Sequence, residues 1–148
     1  MIFTEIFGNL SELTNPEQYH VETAMVKSDD LAKSILRVTS DHQHDFGIRL
    51  EDDDAKLENG TIFKIDDHHL LALSVIPDEM ITITPKNIDE MGIIAHTLGN
   101  LHKPVRVKDG KISLLYDKII IQNLDKLGAD YIIEDVQLEE SLRYVDLS

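Results

Sequence analysis

The stretch Glu79–Val107, EMITITPKNIDEMGIIAHTLGNLHKPVRV, decides the fold because a strand pattern changes into a helix pattern within it. Its first six residues alternate as a strand does. Asn87 then stands at a plausible N-cap, with Glu90 three residues later as in a capping box. One helical face follows, formed by Met91, Ile94, Ala95 and Leu98. Gly99 suits the left-handed position that ends a helix, so we expect the helix to stop there.

The residues after this stretch predict a hairpin, a second helix and a last strand. Asp109-Gly110 lies between two alternating segments, which is a strong signal for a tight hairpin. Asp117 can cap a second helix that stops at Gly128, and its apolar face contains Ile120, Ile121, Leu124 and Leu127. A last predicted strand, DYIIEDVQL at residues 130–138, completes the order β-α-β-β-α-β. This order is the ferredoxin-like arrangement.

The N-terminal half has the period-two pattern of strands. Residues 1 to about 75 contain six short segments rich in β-forming residues, separated by Asn, Asp, Gly and Pro. This pattern predicts five or six strands and hence a small all-β domain. We therefore predict an α+β protein with two domains, residues 1–75 and residues 76–148.

Charge and composition exclude several functions. The 148 residues include 28 acidic and 14 basic side chains, a net charge of −14, and no basic stripe that would bind nucleic acid. Cysteine is absent, so a transition-metal site would need imidazole, carboxylate and water ligands. The N-terminus lacks the pattern of a secretion signal, and no apolar run is long enough to span a membrane. We therefore expect a cytoplasmic protein that does not bind membranes.

His102 is the leading candidate for a metal ligand. It follows a predicted helix C-terminus, where unpaired carbonyl groups concentrate partial negative charge and favour a dication. One imidazole cannot hold such an ion, so a partner ligand is required. The structural alternative is a histidine that closes the helix by bonding a terminal carbonyl group.

The segment LGNLHKP, Leu98–Pro104, resembles the Gly-Asn-x-His motif of the urease accessory protein UreE family. Members of that family are nickel metallochaperones that assist urease assembly. The resemblance extends to LRVTSDHQHDFGIRL and LENGTIF in the first half and to YDKIIIQNLDKLG in the second. It covers essentially the whole chain and has the same order of domains.

The resemblance implies a homodimer formed through the ferredoxin-like domains. Each chain would contribute the histidine that matches His102 to one Ni²⁺ at the interface, and Zn²⁺ or Cu²⁺ could occupy the same site. His96 and Asp117 are secondary candidate ligands. The implied protein partners are urease apoprotein and its accessory GTPase complex. The resemblance implies a carrier without catalytic activity.

The other candidates have weaker signals. His20 lies in a predicted strand and receives no function. His42 with His44, and His68 with His69, lie in predicted turns and are interpreted as surface residues. The acidic run Glu51–Lys56 lacks the glycine of a calcium-binding loop. A protein-interaction module is the main alternative function, and an acid–base enzyme is a third.

Overall fold

The computed structural model describes residues 1–142, which fold into two compact units. The first contains residues 1–76 and 137–141, and the second contains residues 77–136 and 142. A strand-rich N-terminal region precedes a β-α-β-β-α-β unit, so the predicted α+β fold class is confirmed. Neither α-helix in the described part of the chain is long and apolar enough to cross a membrane.

The first unit consists of two small sheets. Its strands are β1 (Ile2–Phe3), β2 (Gly8–Asn9), β3 (His20–Val26), β4 (Ile35–Thr39), β5 (Asp45–Arg49), β6 (Thr61–Asp66) and β7 (His69–Val75). Short 3₁₀ helices span Leu10–Glu12, Pro16–Gln18 and Ser28–Ala32. One sheet has the order β1-β5-β4 and the other β2-β6-β7-β3. Strands β3 and β7 are parallel, and their register places His20 beside His69.

The core of this unit is built on three stacked phenylalanines. The Phe3 ring lies 5.5 Å from that of Phe46 and 5.1 Å from that of Phe63, between ring centroids. All three are buried, as are Leu57 and Leu71. Aromatic pairs at such separations add to the stabilisation from apolar burial, so the core holds together the two sheets, whose strands include His20 and His69.

The second unit has the predicted ferredoxin-like topology. Its elements are β8 (Asp78–Ile83), α1 (Ile88–Asn100), β9 (Arg106–Lys108), β10 (Lys111–Leu115), α2 (Lys118–Leu127) and β11 (Tyr131–Val136). The sheet is antiparallel with the order β11-β8-β10-β9. Both helices pack on one sheet face, through a core of Ile81, Ile83, Ile94, Leu98, Ile112, Leu114, Ile120 and Leu124.

Local sequence signals predicted most of the boundaries in this unit. Asn87 caps α1, since its side chain accepts a hydrogen bond from the Glu90 N–H at 2.8 Å. Asp109 and Gly110 have φ angles of 53° and 74°, and positive values at both central residues are what a type I′ hairpin turn requires. Gly128 ends α2 with φ 68°. These three predictions are confirmed.

The prediction that Gly99 takes the left-handed conformation is wrong. Helix α1 continues through Gly99 to Asn100, and the residue with positive φ, 56°, is His102. The chain leaves the helix before Pro104, and a proline disfavours helical backbone at the residue that precedes it. The sequence pattern predicted the wrong residue because glycine also adopts helical backbone, as Gly99 does in the last turn of α1.

Candidate metal centre

The backbone of His102 takes part in the end of α1, whereas its imidazole does not. Its N–H donates to the Gly99 carbonyl oxygen at 3.0 Å, so the peptide group, rather than the side chain, completes the helix end. The side chain is exposed and makes no hydrogen bond within residues 1–142. Left-handed backbone is uncommon for a residue with a Cβ atom, although histidine tolerates it better than most. Among the described residues, neither nitrogen of the exposed ring has a hydrogen-bond partner.

The Asp117 carboxylate makes two contacts that stabilise the fold. One carboxylate oxygen accepts from the Ile119 N–H at 2.8 Å and caps α2, and the other lies 2.7 Å from the Lys103 ammonium. The hydrogen bond from Lys103, followed by that from the Ile119 N–H, holds the pKa of Asp117 below its usual value. The group is thus an anion, but each of its oxygens already has one contact, and the positive charge of Lys103 beside it disfavours a metal ion there.

His96 lies on the exposed side of α1. Its Nε2 atom is 3.2 Å from the Asn100 side-chain nitrogen, one helical turn further on. The amide can donate to that nitrogen, which engages its lone pair. Its other ring nitrogen, Nδ1, remains without a partner in the described part of the chain.

The described residues do not complete a metal site at His102. Across residues 1–142, no three or more histidine, aspartate or glutamate side chains are grouped so that they could hold one ion. Borderline metals need several nitrogen or oxygen ligands, so ligands additional to this chain's His102 would be required. Apolar side chains of the same unit are also exposed, including Ile93, Leu101 and Ile119.

The structure also brings the turn with His42 and His44 close to His20 and His69, which the sequence analysis did not connect with it. We call His20, His42, His44 and His69 the histidine cluster. The Nε2 atoms of His20 and His42 are 2.6 Å apart, and their rings are stacked with centroids 4.8 Å apart. His20 also makes an edge contact with His69, at 5.6 Å between centroids. Nothing in the sequence links His20 to a turn 22 residues away, because strand packing alone creates that proximity.

A buried carboxylate lies beneath this cluster. Glu22 is 4% exposed and accepts hydrogen bonds from the Ser40 hydroxyl at 2.7 Å and, in the matching tautomer, from His44 Nδ1 at 2.8 Å. Burial acts to raise the pKa of Glu22, but the contacts with Ser40 and His44 outweigh it, and the pKa lies below its usual value. The carboxylate is therefore an anion that ties the β4–β5 turn to β3.

The described residues thus form an all-β unit followed by a ferredoxin-like unit, which defines a two-domain α+β protein with an exposed histidine directly after the first helix of its second unit. Residues 3–75 match the model for the N-terminal domain of the UreE urease accessory protein, and residues 78–140 match the model for its C-terminal domain. The chain belongs to the UreE urease accessory protein family. Its role is therefore accessory to urease maturation, and it is not an enzyme.

Individual relatives match over nearly their whole length. The urease accessory protein UreE of Streptococcus thermophilus is 49% identical over 148 residues, which are all of this chain and 97% of the relative. The protein of the same name from Staphylococcus carnosus is 37% identical over 146 residues, 98% of this chain and 97% of the relative. The similarity thus includes both domains.

Proposed function

We propose that this protein is a cytoplasmic nickel metallochaperone that delivers Ni²⁺ during assembly of the urease active site. It acts as a homodimer formed through the second unit, and His102 of each chain binds the same ion. The observation that carries this proposal is the His102 imidazole, which is exposed, has no hydrogen bond within the described residues, and projects from left-handed backbone directly after α1. A two-fold axis close to such a residue would place two of them side by side.

The incomplete ligand set suits a carrier. Two imidazoles with water or mobile carboxylates form an open shell, from which an acceptor can remove the ion by ligand exchange. A closed cage would retain the ion instead. The acceptors are urease apoprotein and its accessory GTPase complex. Cu²⁺ binds such ligands at least as strongly as Ni²⁺, and Zn²⁺ binds comparably, so the supply of metal in the cell contributes to selectivity.

The exposed apolar residues support a subunit contact on the second unit. Ile93, Leu101 and Ile119 have 56%, 38% and 62% of their surface exposed. Burial of such side chains contributes roughly 25 cal/mol for each Å² of apolar surface removed from water, which favours association. Leu101 directly precedes His102, so burying it would bring the metal ligand to the edge of the contact.

Nickel titration of the tag-free protein by calorimetry, with the mass measured by ultracentrifugation, tests this proposal. We expect tight binding to saturate near one ion for two chains in the wild type. His102→Ala should abolish it, because each dimer loses two imidazoles. His68→Ala is the matched control, since only the backbone groups of His68 make hydrogen bonds. Tight binding of several ions per chain, or normal binding by His102→Ala, would disprove the proposal.

A further inference from the structure

The Nε2 atoms of His20 and His42 are only 2.6 Å apart, and both atoms can be metal ligands. Two lone pairs repel at this distance, and two N–H groups would clash. A proton must therefore lie between the nitrogens when no other cation does. A borderline dication is bound by imidazole nitrogens at about 2.0–2.1 Å, so two ligands at the tetrahedral angle lie about 3.3 Å apart. The two exposed side chains need to separate by roughly 0.7 Å to admit one.

The turn that carries His42 is anchored rather than loose. The Ser40 hydroxyl oxygen accepts from the N–H groups of His42 at 3.2 Å and His44 at 3.3 Å. Ser40 is 5% exposed, and it donates in turn to the buried Glu22. Because these contacts fix the backbone of the turn against β3, the fold places His42 beside His20.

A carboxylate also stands behind the His42 ring. Asp41 Oδ1 lies 3.5 Å from His42 Nδ1, and the same oxygen accepts from the Thr23 N–H at 3.0 Å. The Asp41 N–H donates to the Thr23 carbonyl oxygen at 2.8 Å, so the carboxylate is held in place. A carboxylate on the far side of a metal-binding histidine favours the proton on that side and leaves the other nitrogen as a lone pair.

We propose that His20 and His42 form a second site for a borderline divalent cation, with both ligands from one chain and water completing the shell. We assign only these two rings as ligands, because within the described residues no three or more histidine, aspartate or glutamate side chains are grouped so that they could hold one ion. A bound ion must replace the hydrogen bond between His20 and His42, whereas the His102 ring makes none within the described residues, so the site binds one ion per chain more weakly than the interface site. It does not depend on His102 or on dimer formation.

The test uses the full-length His102→Ala protein, with Zn²⁺ as a diamagnetic probe. Calorimetry should give one Zn²⁺ per chain, and the imidazole nitrogen signals of His20 and His42 should shift together in NMR spectra. His20→Gln and His42→Gln, each added to that background, should weaken Zn²⁺ binding at least about tenfold, because each removes one of two ligands. His68→Gln should leave the affinity unchanged, and circular dichroism verifies that all variants fold.

The two proposals fail in different ways. If Zn²⁺ leaves the His20 and His42 signals unmoved, or if either glutamine substitution leaves binding unchanged, these two rings only share a proton and the second site is disproved. That outcome would not affect nickel binding through His102 in the wild-type protein. Conversely, normal tight nickel binding by His102→Ala would overturn the interface proposal, while the zinc titration would still decide the second site.

Discussion

His102 combines two properties that separate substitutions can distinguish. Its backbone has φ 56°, and its side chain makes no hydrogen bond within residues 1–142. We predict that His102→Gly raises the free energy of unfolding by about 1 kcal/mol in chelator-treated protein, because glycine adopts left-handed backbone without a Cβ penalty. His102→Ala should change it by about 1 kcal/mol or less. Urea unfolding measures both values.

Both substitutions should abolish tight nickel binding, although their effects on stability differ. This result would show that the imidazole of His102 binds the metal and that the strain lies in its backbone. A large loss of stability in His102→Ala would instead indicate that the ring is structural. The sequence pattern predicted a metal ligand at this position, but it could not predict the left-handed backbone, because Gly99 offered a more obvious place for it.

At the level of elements, a glycine-to-alanine substitution near the C-terminal end of α1 and one at the end of α2 should change the free energy of unfolding in opposite directions. Gly99→Ala should raise the free energy of unfolding by about 0.5–1 kcal/mol, because Gly99 is helical and an added Cβ meets nothing within 4 Å. Gly128→Ala should lower it by about 1–2 kcal/mol, because Gly128 has φ 68°. Thermal unfolding followed by circular dichroism at several urea concentrations gives both values.

If Gly99→Ala destabilised the protein as much as Gly128→Ala, α1 would end earlier than the structure places it. Elements of this kind were largely predictable, since N-caps, the Asp109-Gly110 turn and apolar periodicity all act within a few residues. The histidine cluster was not predictable. Its proximity depends on the parallel pairing of β3 with β7 and on the contact of the β4–β5 turn with β3, which link residues far apart in sequence.

For the whole molecule, the proposed function makes nickel a ligand of the dimer. An ion held by one histidine from each chain binds the dimer much more strongly than a single chain. By linkage it must stabilise the dimer by RT ln(1 + [L]/Kd), about 2.7 kcal/mol at a hundredfold excess of free ion over Kd. We therefore predict that Ni²⁺ lowers the concentration at which the chains associate. The net charge of −14 on each chain opposes association, so this concentration should also fall as salt screens the repulsion.

Sedimentation equilibrium with and without Ni²⁺, at fixed ionic strength, measures the effect. His102→Ala should associate as the metal-free wild type does and should not respond to the ion, whereas His42→Gln should respond fully because its site lies within one chain. Binding and the gain in association should both weaken as the solution becomes acidic enough to protonate imidazole, since protons compete with the metal for the same lone pair. An association that Ni²⁺ leaves unchanged in the wild type would mean that the two His102 rings do not share the ion.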